Sequence, residues 1–252
     1  MKTSTVDKLI VKEYETRSEM GKGAAKEVAA KFKTLLEKQP SLSVIFASAP
    51  SQKDFFEEIV NYTDIDRTRI NAFHMDEYIG IDLDAPQAFR QFLKDHLFSK
   101  LPFGTINYLD NANPSADCKL YADLLGNVDV VVLGIGENGH LAFNDPGVAF
   151  FDDPEMVKIV ELDLECRQQQ VNDGCFLTLD DVPTHAITLT IPALFSGKSI
   201  FAIVPGGRKA DAVAKTLLGP VDESCPASIL RRHDQAVLYL DKDSAAKYNL
   251  FI

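Results

Sequence analysis

Short apolar segments alternate along this chain with amphipathic segments of helical period, and this alternation restricts the fold more than any other feature. Residues 128–133 and 200–204 are almost continuous apolar runs, which is typical of strands buried on both faces. The predicted strands are residues 42–47, 69–75, 106–109, 128–133, 157–162, 186–191, 200–204 and 236–240, and the predicted helices are residues 28–36, 51–60, 86–97, 114–125 and 209–218. This order predicts an α/β fold in which a doubly wound, mostly parallel sheet carries helices on both faces.

The chain shows no boundary at which it would divide into two domains. Its 252 residues contain no low-complexity linker, internal repeat or charge run, and this length suits one domain. We therefore expect a single α/β domain over residues 1–252. The sequence has no stretch of about 18 uninterrupted apolar residues and no secretory signal at its N-terminus, so we expect a cytoplasmic protein with no membrane partner.

Charge and cysteine spacing argue against several classes of partner. The chain has 26 basic and 37 acidic side chains and a formal net charge of −11, and such a chain repels the phosphate backbone of nucleic acid. A small anion can still bind in a cleft where a few local donors override the net charge. The four cysteines lack the C-x-x-C spacing of zinc and redox sites, so we expect ordinary reduced thiols.

A glycine-rich motif follows one of the predicted strands. Residues 134–140 read Gly-Ile-Gly-Glu-Asn-Gly-His, which matches the G-x-G-x-x-G pattern of dinucleotide-binding proteins. That interpretation needs a helix beginning inside the motif, whereas residues 143–147 (Phe-Asn-Asp-Pro-Gly) are typical of a turn. The favoured alternative is a loop whose glycines, including Gly136 and Gly139, bring backbone N–H groups close to an anionic or oxygen-rich ligand. The same loop would present His140 for proton transfer near pH 7.

Two further polar segments follow predicted strands, which is where ligands bind in parallel sheets. Asp76 and Glu77 come at the end of one strand, and neighbouring strand residues point to opposite faces, so only one of the two is expected to face a given site. The segment Pro-Gly-Gly-Arg-Lys, which ends at Lys209, joins a strand to a helix N-terminus, and its glycines and cations suit a phosphate. Both segments are also compatible with ordinary surface loops.

These motifs together are similar to those of the glucosamine-6-phosphate deaminase (isomerase) family. The resemblance rests on residues 75–80 (Met-Asp-Glu-Tyr-Ile-Gly), residues 134–146 (Gly-Ile-Gly-Glu-Asn-Gly-His-Leu-Ala-Phe-Asn-Asp-Pro) and residues 207–210 (Gly-Arg-Lys-Ala), in this order. It spans about residues 40–241 and implies a Rossmann-like fold. The related 6-phosphogluconolactonases typically carry Asp-Glu-Arg instead of Asp-Glu-Tyr and a Ser-Leu-Phe-Pro-like stretch after Gly-His, so the deaminase branch is favoured.

The resemblance implies an aldose-to-ketose conversion of an amino sugar 6-phosphate without a cofactor or a metal. The sugar ring opens, a proton moves from C2 to C1, and the resulting imine is hydrolysed to a ketose phosphate and ammonia. By this resemblance His140 is the acid/base of ring opening, Asp76 carries the carbon proton, and Asp145 stands where the family has a glutamate that partners the histidine. Lys209 corresponds to the family's phosphate-binding lysine, and Asn138 stands where many members have a catalytic-site aspartate.

The phosphate site departs from the family pattern. The family usually has a Gly-Gly-Thr-like turn after the first strand, whereas residues 47–52 read Ala-Ser-Ala-Pro-Ser-Gln, and proline has no N–H to offer an anion. We expect the hydroxyls of Ser48 and Ser51 to serve instead. The family's second phosphate cation, an arginine, has no direct counterpart, and Arg167 is the nearest candidate. The expected substrate-binding set also includes Glu77, Gly136 and Gly139.

Two other functions remain open at this point. A lactonase of the same superfamily would use His140 to activate water and would not need Asp76. A sugar-phosphate sensor would keep the cleft but lack turnover, as the altered loop at residues 47–52 suggests. The sequence does not decide between glucosamine-6-phosphate and its galactosamine epimer. Members of the family often form homo-oligomers, so we expect an oligomer here, with a small sugar phosphate as the ligand.

Overall fold

A computed structural model describes residues 1–251 of the chain, and these residues form two sheets and the helices that pack on them. The strands are β1 (Lys2–Val6), β2 (Leu9–Tyr14), β3 (Leu42–Phe46), β4 (Ile70–His74), β5 (Asp76–Tyr78), β6 (Thr105–Asn107), β7 (Val130–Leu133), β8 (Val157–Glu161), β9 (His185–Leu189), β10 (Ser199–Val204) and β11 (Ala236–Asp241). The helices are α1 (Arg17–Leu36), α2 (Lys53–Ile59), α3 (Phe89–His96), α4 (Pro114–Leu125), α5 (Leu164–Asn172), α6 (Ile191–Phe195) and α7 (Ala210–Leu218). Among the described residues, none of the helices combines the length and the apolar character needed to cross a membrane.

The main sheet has the strand order β1-β2-β11-β10-β7-β3-β4-β6. Every pair from β2 to β6 in this order is parallel, whereas the edge strand β1 runs antiparallel to β2. Val130 and Val132 of β7 pack into one apolar cluster with α1, α2 and α3. Val131 and Leu133 pack into another cluster, on the opposite face, with α4, α6 and α7. The predicted doubly wound, mostly parallel α/β fold is therefore confirmed.

A second, smaller sheet begins directly after β4. Its three strands are antiparallel and lie in the order β5-β9-β8. The prediction that residues 157–162 and 186–191 form strands is correct, but their expected place in the main sheet is wrong. Strand β8 buries only Val157 and Val160 of its five residues, and such a half-exposed pattern suits an antiparallel sheet covered on one face. An apolar cluster around Tyr78 and Phe143 packs against this sheet.

The first helix is longer than its apolar pattern indicated. It begins at Arg17 rather than near residue 28, and the hairpin of β1 and β2 precedes it. Its first turns contain two glycines, which lower helix propensity and mask the helical pattern. Gly21 is also a contact point, because a Cβ atom there would lie 2.7 Å from the Cβ of Asp54 in α2. Gly21 therefore permits close packing of two helices. The same residue makes the helical pattern of α1 harder to recognise in the sequence.

The carboxyl ends of four neighbouring strands meet at one edge of the main sheet. Phe46 of β3 pairs with His74 of β4 and with Val132 of β7, and Ala202 of β10 pairs with Leu133 of β7. The segments that follow these strands consequently start side by side. This edge is where an α/β sheet of this kind binds its ligand.

Candidate active site

A cleft opens at this edge of the main sheet. Its walls come from the segments after β3, β4, β7 and β10 and from helix α5. The sequence-predicted site residues that line it are Ser48, Ser51, Asp76, Gly136, His140 and Lys209. The predicted site residues that do not line it are Glu77, Asn138, Gly139, Asp145 and Arg167.

The imidazole of His140 is fixed from two sides. Its Nδ1 atom lies 2.8 Å from Oδ1 of Asp145. The ring also lies directly over Gly136, since a Cβ atom on that glycine would be 2.3 Å from Nε2. Within residues 1–251, Nε2 forms no hydrogen bond, so it remains available on the cleft side of the ring. This arrangement suits a histidine that transfers protons to and from a bound molecule.

Asp145 lies behind His140, buried among hydrogen-bond donors. Nδ2 of Asn138 donates to its Oδ1 at 3.0 Å, and the sulfur of Cys166 lies within 4.8 Å of the same carboxylate. Burial raises the pKa of Asp145, but the charge of His140 and these hydrogen bonds outweigh burial and hold that pKa below its usual value. Asp145 therefore stays ionised, fixes the orientation of the imidazole and stabilises its protonated form.

Asn138 is a positioning residue rather than a wall of the cleft. Besides its bond to Asp145, its Nδ2 donates to Oδ2 of Asp163 at 3.1 Å, and its Oδ1 accepts the backbone N–H of His140 at 3.0 Å. All of these bonds hold the loop that carries the histidine. The predicted catalytic role of Asn138 stays a prediction, and its position outside the cleft lining does not support direct contact with a ligand.

One cluster in the site has the composition of a metal centre. His140, Asp145 and Cys166 each place a potential ligand atom within 4.8 Å of the others. Burial raises the pKa of the Cys166 thiol well above its usual value, and a metal would need the thiolate. The expectation that the reaction uses no metal stays a prediction.

Asp76 is the second titratable group that faces the cleft. It is buried at the start of β5, and its Oδ1 atom has no hydrogen-bond partner among the described residues. Burial, and after it the charge of Glu77, raise the pKa of Asp76 well above the usual value of an aspartate. A carboxyl group with a raised pKa can both accept and return a proton at physiological pH.

Glu77 does not line the cleft, whereas the sequence analysis placed it among the substrate-binding residues. Its carboxylate accepts the backbone N–H groups of Tyr78 at 3.0 Å, Phe89 at 3.0 Å and Arg90 at 2.8 Å. Glu77 thereby connects β5 to the first turn of α3. The expected alternation of strand residues is present, because Asp76 faces the cleft and Glu77 faces the core.

Two glycines of the loop at residues 134–140 do not offer their N–H groups to the cleft. The N–H groups of Gly136 and Gly139 donate to carbonyls within the loop, at 2.9 and 3.1 Å, and that of Glu137 donates to Oε1 of Gln169 at 2.7 Å. Gly139 has a φ of +95° and packs against Cys225 rather than the cleft. These two glycines therefore shape the loop around His140, and the predicted backbone cradle does not include their N–H groups.

Arg167 does not line the cleft, and its guanidinium is bound to backbone groups elsewhere. It donates to the carbonyl oxygens of Leu179 at 2.7 Å and Val182 at 2.9 Å. The predicted role of Arg167 as the second phosphate cation is not supported by this placement.

Lys209 and Ser48 provide uncommitted polar groups in the cleft. Lys209 is 7% exposed, and within the described part of the chain its ammonium group forms no hydrogen bond. Burial lowers its pKa. The Ser48 hydroxyl is buried without a partner among the same residues, and the Ser51 hydroxyl accepts from Nε2 of Gln52 at 3.1 Å. The cleft therefore contains a buried cation and the unpartnered hydroxyl of Ser48, and such groups suit an anion.

Sequence reasoning missed one wall of the cleft, which α5 supplies. Gln169, Gln170 and the following Asp173 all line it. Cys166, Gln169 and Gln170 are buried with the spacing of one helix face, although two of the three are polar. Polar residues at core-facing positions of a helix were the signal that could have identified this wall.

Comparison with known proteins places this geometry in a family. The sequence profile of the family described as glucosamine-6-phosphate isomerases/6-phosphogluconolactonase matches residues 15–239. The chain belongs to this family. Two related sequences are the glucosamine-6-phosphate deaminases of Streptococcus pneumoniae serotype 4 and Streptococcus pyogenes serotype M18. They are 35% and 33% identical to the chain over 203 and 206 residues, which cover 79% and 80% of this chain and 84% and 85% of theirs.

Solved structures of the family have the same fold. A monomeric glucosamine-6-phosphate deaminase superposes with a TM-score of 0.85 at 28% identity, over 94% of this chain and 99% of that chain. The 6-phosphogluconolactonase of Thermotoga maritima gives a TM-score of 0.75 at 20% identity, over 93% and 100% of the two chains. The family and the Rossmann-like fold expected from sequence are thus confirmed. The expected homo-oligomer stays a prediction.

The contacts of Glu77 predict a structural role for this residue in the family member described here. Replacing it in Glu77→Ala leaves three N–H groups without an acceptor, two of them in buried contacts, and each buried group costs about 1–3 kcal/mol. We expect the free energy of unfolding to fall by about 3 kcal/mol or more, measured by urea denaturation followed by circular dichroism. Glu77→Gln keeps an acceptor oxygen, so its free energy of unfolding should fall less than that of Glu77→Ala.

A matched control is Glu57→Ala, which removes an exposed glutamate of α2. The free energy of unfolding of this variant should lie within about 0.5 kcal/mol of that of the wild type. A Glu77→Ala protein as stable as the Glu57→Ala protein would show that the three N–H groups do not depend on Glu77.

Proposed function

We propose that this protein is an amino sugar 6-phosphate deaminase/isomerase that converts glucosamine-6-phosphate into a ketose 6-phosphate and ammonia. The observation that carries the proposal is the presence in one cleft of Asp76, with its raised pKa, and His140, oriented by Asp145. Lys209 adds a buried cation to the same cleft. The substrate class follows from the relatives that are named glucosamine-6-phosphate deaminases.

His140 opens the sugar ring. Its Nε2 atom accepts the proton of the C1 hydroxyl and returns a proton to the ring oxygen, which yields the open-chain aldehyde with no net change in protonation. Between these transfers the imidazole is protonated. The ionised carboxylate of Asp145, 2.8 Å from Nδ1, stabilises that charge.

Asp76 then moves the carbon proton. Its carboxylate removes the proton from C2 while a water molecule gives a proton to O1, which yields an enolamine and a hydroxide ion. Asp76 returns its proton to C1, and the amine nitrogen gives a proton to that hydroxide as the C2=N bond forms. Water adds to C2 and ammonia leaves, so the ketose is formed. The raised pKa of Asp76 suits this task, because a strongly acidic carboxyl would remove a carbon proton poorly.

The phosphate is assigned to Lys209 and Ser48. The ammonium of Lys209 supplies charge, and the Ser48 hydroxyl supplies a hydrogen bond in place of a glycine-rich turn. A bound phosphate would give both groups the partner that they lack among residues 1–251. Net charge does not oppose this assignment, because a few local donors set the potential inside a cleft.

Incubation with glucosamine-6-phosphate tests the proposal directly. We expect ammonia and ketose 6-phosphate in equal amounts, and His140→Ala and Asp76→Asn should each lower turnover by about 100-fold or more. Galactosamine-6-phosphate is assayed in parallel. Hydrolysis of 6-phosphogluconolactone that survives Asp76→Asn would replace the proposal with a lactonase. Binding of glucosamine-6-phosphate without any product would replace it with a sensor.

The buried carboxyl of Asp76 is expected to lower the stability of the protein at neutral pH. Its pKa is raised in the folded state, so the folded chain holds a proton that the unfolded chain releases as the pH rises. Stability from this group is present at low pH and is lost as the pH rises through the folded-state pKa. Asp76→Asn should therefore unfold at higher urea concentration than the wild type at pH 7.5. Its free energy of unfolding should be greater by about 1.4 kcal/mol for each unit by which folding raises the pKa of Asp76.

The same comparison at pH 4.5 provides the control for this prediction. The advantage of Asp76→Asn should shrink there, since the wild-type carboxyl is then increasingly protonated. Equal stability of the two proteins at both pH values would show that Asp76 is not held in a desolvated environment.

The close contact between His140 and Gly136 gives a second kinetic prediction. A methyl group in Gly136→Ala would lie 2.3 Å from the imidazole and displace it, and a displacement of about 1 Å costs roughly 100-fold in rate. We expect kcat for glucosamine-6-phosphate to fall by about that factor. Glu57→Ala, which changes an exposed side chain of α2, is the control and should keep the wild-type kcat. Unchanged kcat in Gly136→Ala would mean that the ring position is not critical.

A further inference from the structure

A buried glutamine on α5 opens onto the cleft and has no part in the chemistry above. Gln170 lines the cleft and is 6% exposed. In the part of the chain that the structure describes, its carboxamide forms no hydrogen bond. The neighbouring Gln169 differs, because its Oε1 atom accepts the N–H of Glu137 at 2.7 Å. An amide on the wall of the cleft that has no protein partner can give its hydrogen bonds to a ligand, so Gln170 has the character of a ligand-binding group.

Helix α5 runs along the cleft from the acid/base pair to the phosphate end. Near its start, Cys166 places its sulfur within 4.8 Å of a carboxylate oxygen of Asp145, the partner of the catalytic histidine. Just after its last turn, Asp173 lines the cleft together with Lys209. Gln170 lies four residues after Cys166 and three before Asp173, which is about 6 Å and 4.5 Å along a helix axis. It therefore lies between the two ends of the site.

We propose that Gln170 is a specificity-determining residue that hydrogen-bonds the hydroxyl group at C4 of the sugar. The proposal rests on the proposed function, in which the acid/base pair acts at C1 and C2 and the phosphate is attached at C6. A group midway along α5 then lies opposite the middle of the carbon chain. C4 is the carbon at which the glucosamine and galactosamine epimers differ.

A carboxamide has the chemistry that this task needs. It offers two donor positions and an acceptor with two lone pairs, so it can bind a hydroxyl in either role. It is also neutral, whereas Lys209 and Asp173 beside it are charged. The amide therefore binds a sugar hydroxyl without competing with Lys209 for the phosphate.

The test measures binding with ligands that cannot react. The two probes are 2-amino-2-deoxyglucitol 6-phosphate and its galactitol epimer, which lack the C1 carbonyl, and the third ligand is inorganic phosphate. Calorimetry on the full chain is expected to give a wild-type preference for one epimer of roughly tenfold, the range of one neutral hydrogen bond. Gln170→Leu should reduce this preference to within about twofold and leave the affinity for inorganic phosphate unchanged.

Three further variants separate the role of Gln170 from other effects. Gln168→Leu is the matched control, because Gln168 is exposed on the same helix, and it should keep the wild-type preference. Lys209→Met should weaken both epimers and inorganic phosphate without changing the preference. Gln170→Asn withdraws the amide by one methylene, keeps its polarity, and should reduce the preference in the same direction as Gln170→Leu.

The possible failures are distinguishable from one another. A wild-type protein that binds both epimers equally, or a Gln170→Leu variant that keeps the preference, would overturn the role of Gln170 and leave the proposed function intact. Weaker binding of inorganic phosphate in Gln170→Leu would mean that the amide contacts the phosphate, and the assignment to C4 would be wrong. A wild-type protein that binds neither hexitol phosphate would overturn both this inference and the proposed function.

Discussion

The whole site depends on the parallel pairing of β3, β4, β7 and β10, which brings their carboxyl ends to one edge of the main sheet. Ser48, Asp76, His140 and Lys209 are far apart in the sequence, yet each follows one of these strands shortly after it ends. A shift of one residue in any of these strands would exchange the side chains that face the two apolar clusters. The packing of the core therefore fixes where the polar side chains of the cleft can lie.

Two aspartates near the cleft have pKa values displaced in opposite directions, and the charge of the group beside each one separates them. Burial raises the pKa of both, but the charge of His140 and the hydrogen bonds around Asp145 hold the pKa of that residue low. Glu77 adds a like charge beside Asp76, so the pKa of Asp76 is high. One carboxyl thus remains a fixed charge while the other can exchange protons.

The sequence predicted those features that are set by local steric or chemical requirements. The alternation of strands and helices predicted the main sheet, and the glycines at the histidine loop predicted a special conformation there. It also predicted that only one of Asp76 and Glu77 would face the site, but not which one, because the three N–H groups that bind Glu77 lie on β5 and α3 and meet it only after folding. For the same reason the second sheet was missed, since its strands pair across long stretches of chain.

In helix α5, too, the sequence alone did not predict which residues would line the cleft. The charge of Arg167 made it the natural candidate for an anion, whereas the neutral Gln170 drew no attention. Which face of α5 meets the cleft is decided by contacts of Cys166 with Asp145 and of Arg167 with two distant carbonyl groups. Helical periodicity shows which residues share a face, but only tertiary packing shows where that face points.

The charges around Lys209 explain how a chain with a net charge of −11 can offer a cation to an anion. Arg208 binds Glu137 at 3.2 Å and Asp173 at 2.6 Å, so both acids already have a cationic partner. Their negative charges still oppose the loss of the Lys209 proton that burial promotes. The acids therefore help to keep the lysine charged, while Arg208 keeps them from forming a direct ion pair with it. Because electrostatic interactions weaken with distance, an anion in the cleft interacts most strongly with the ammonium group that faces it.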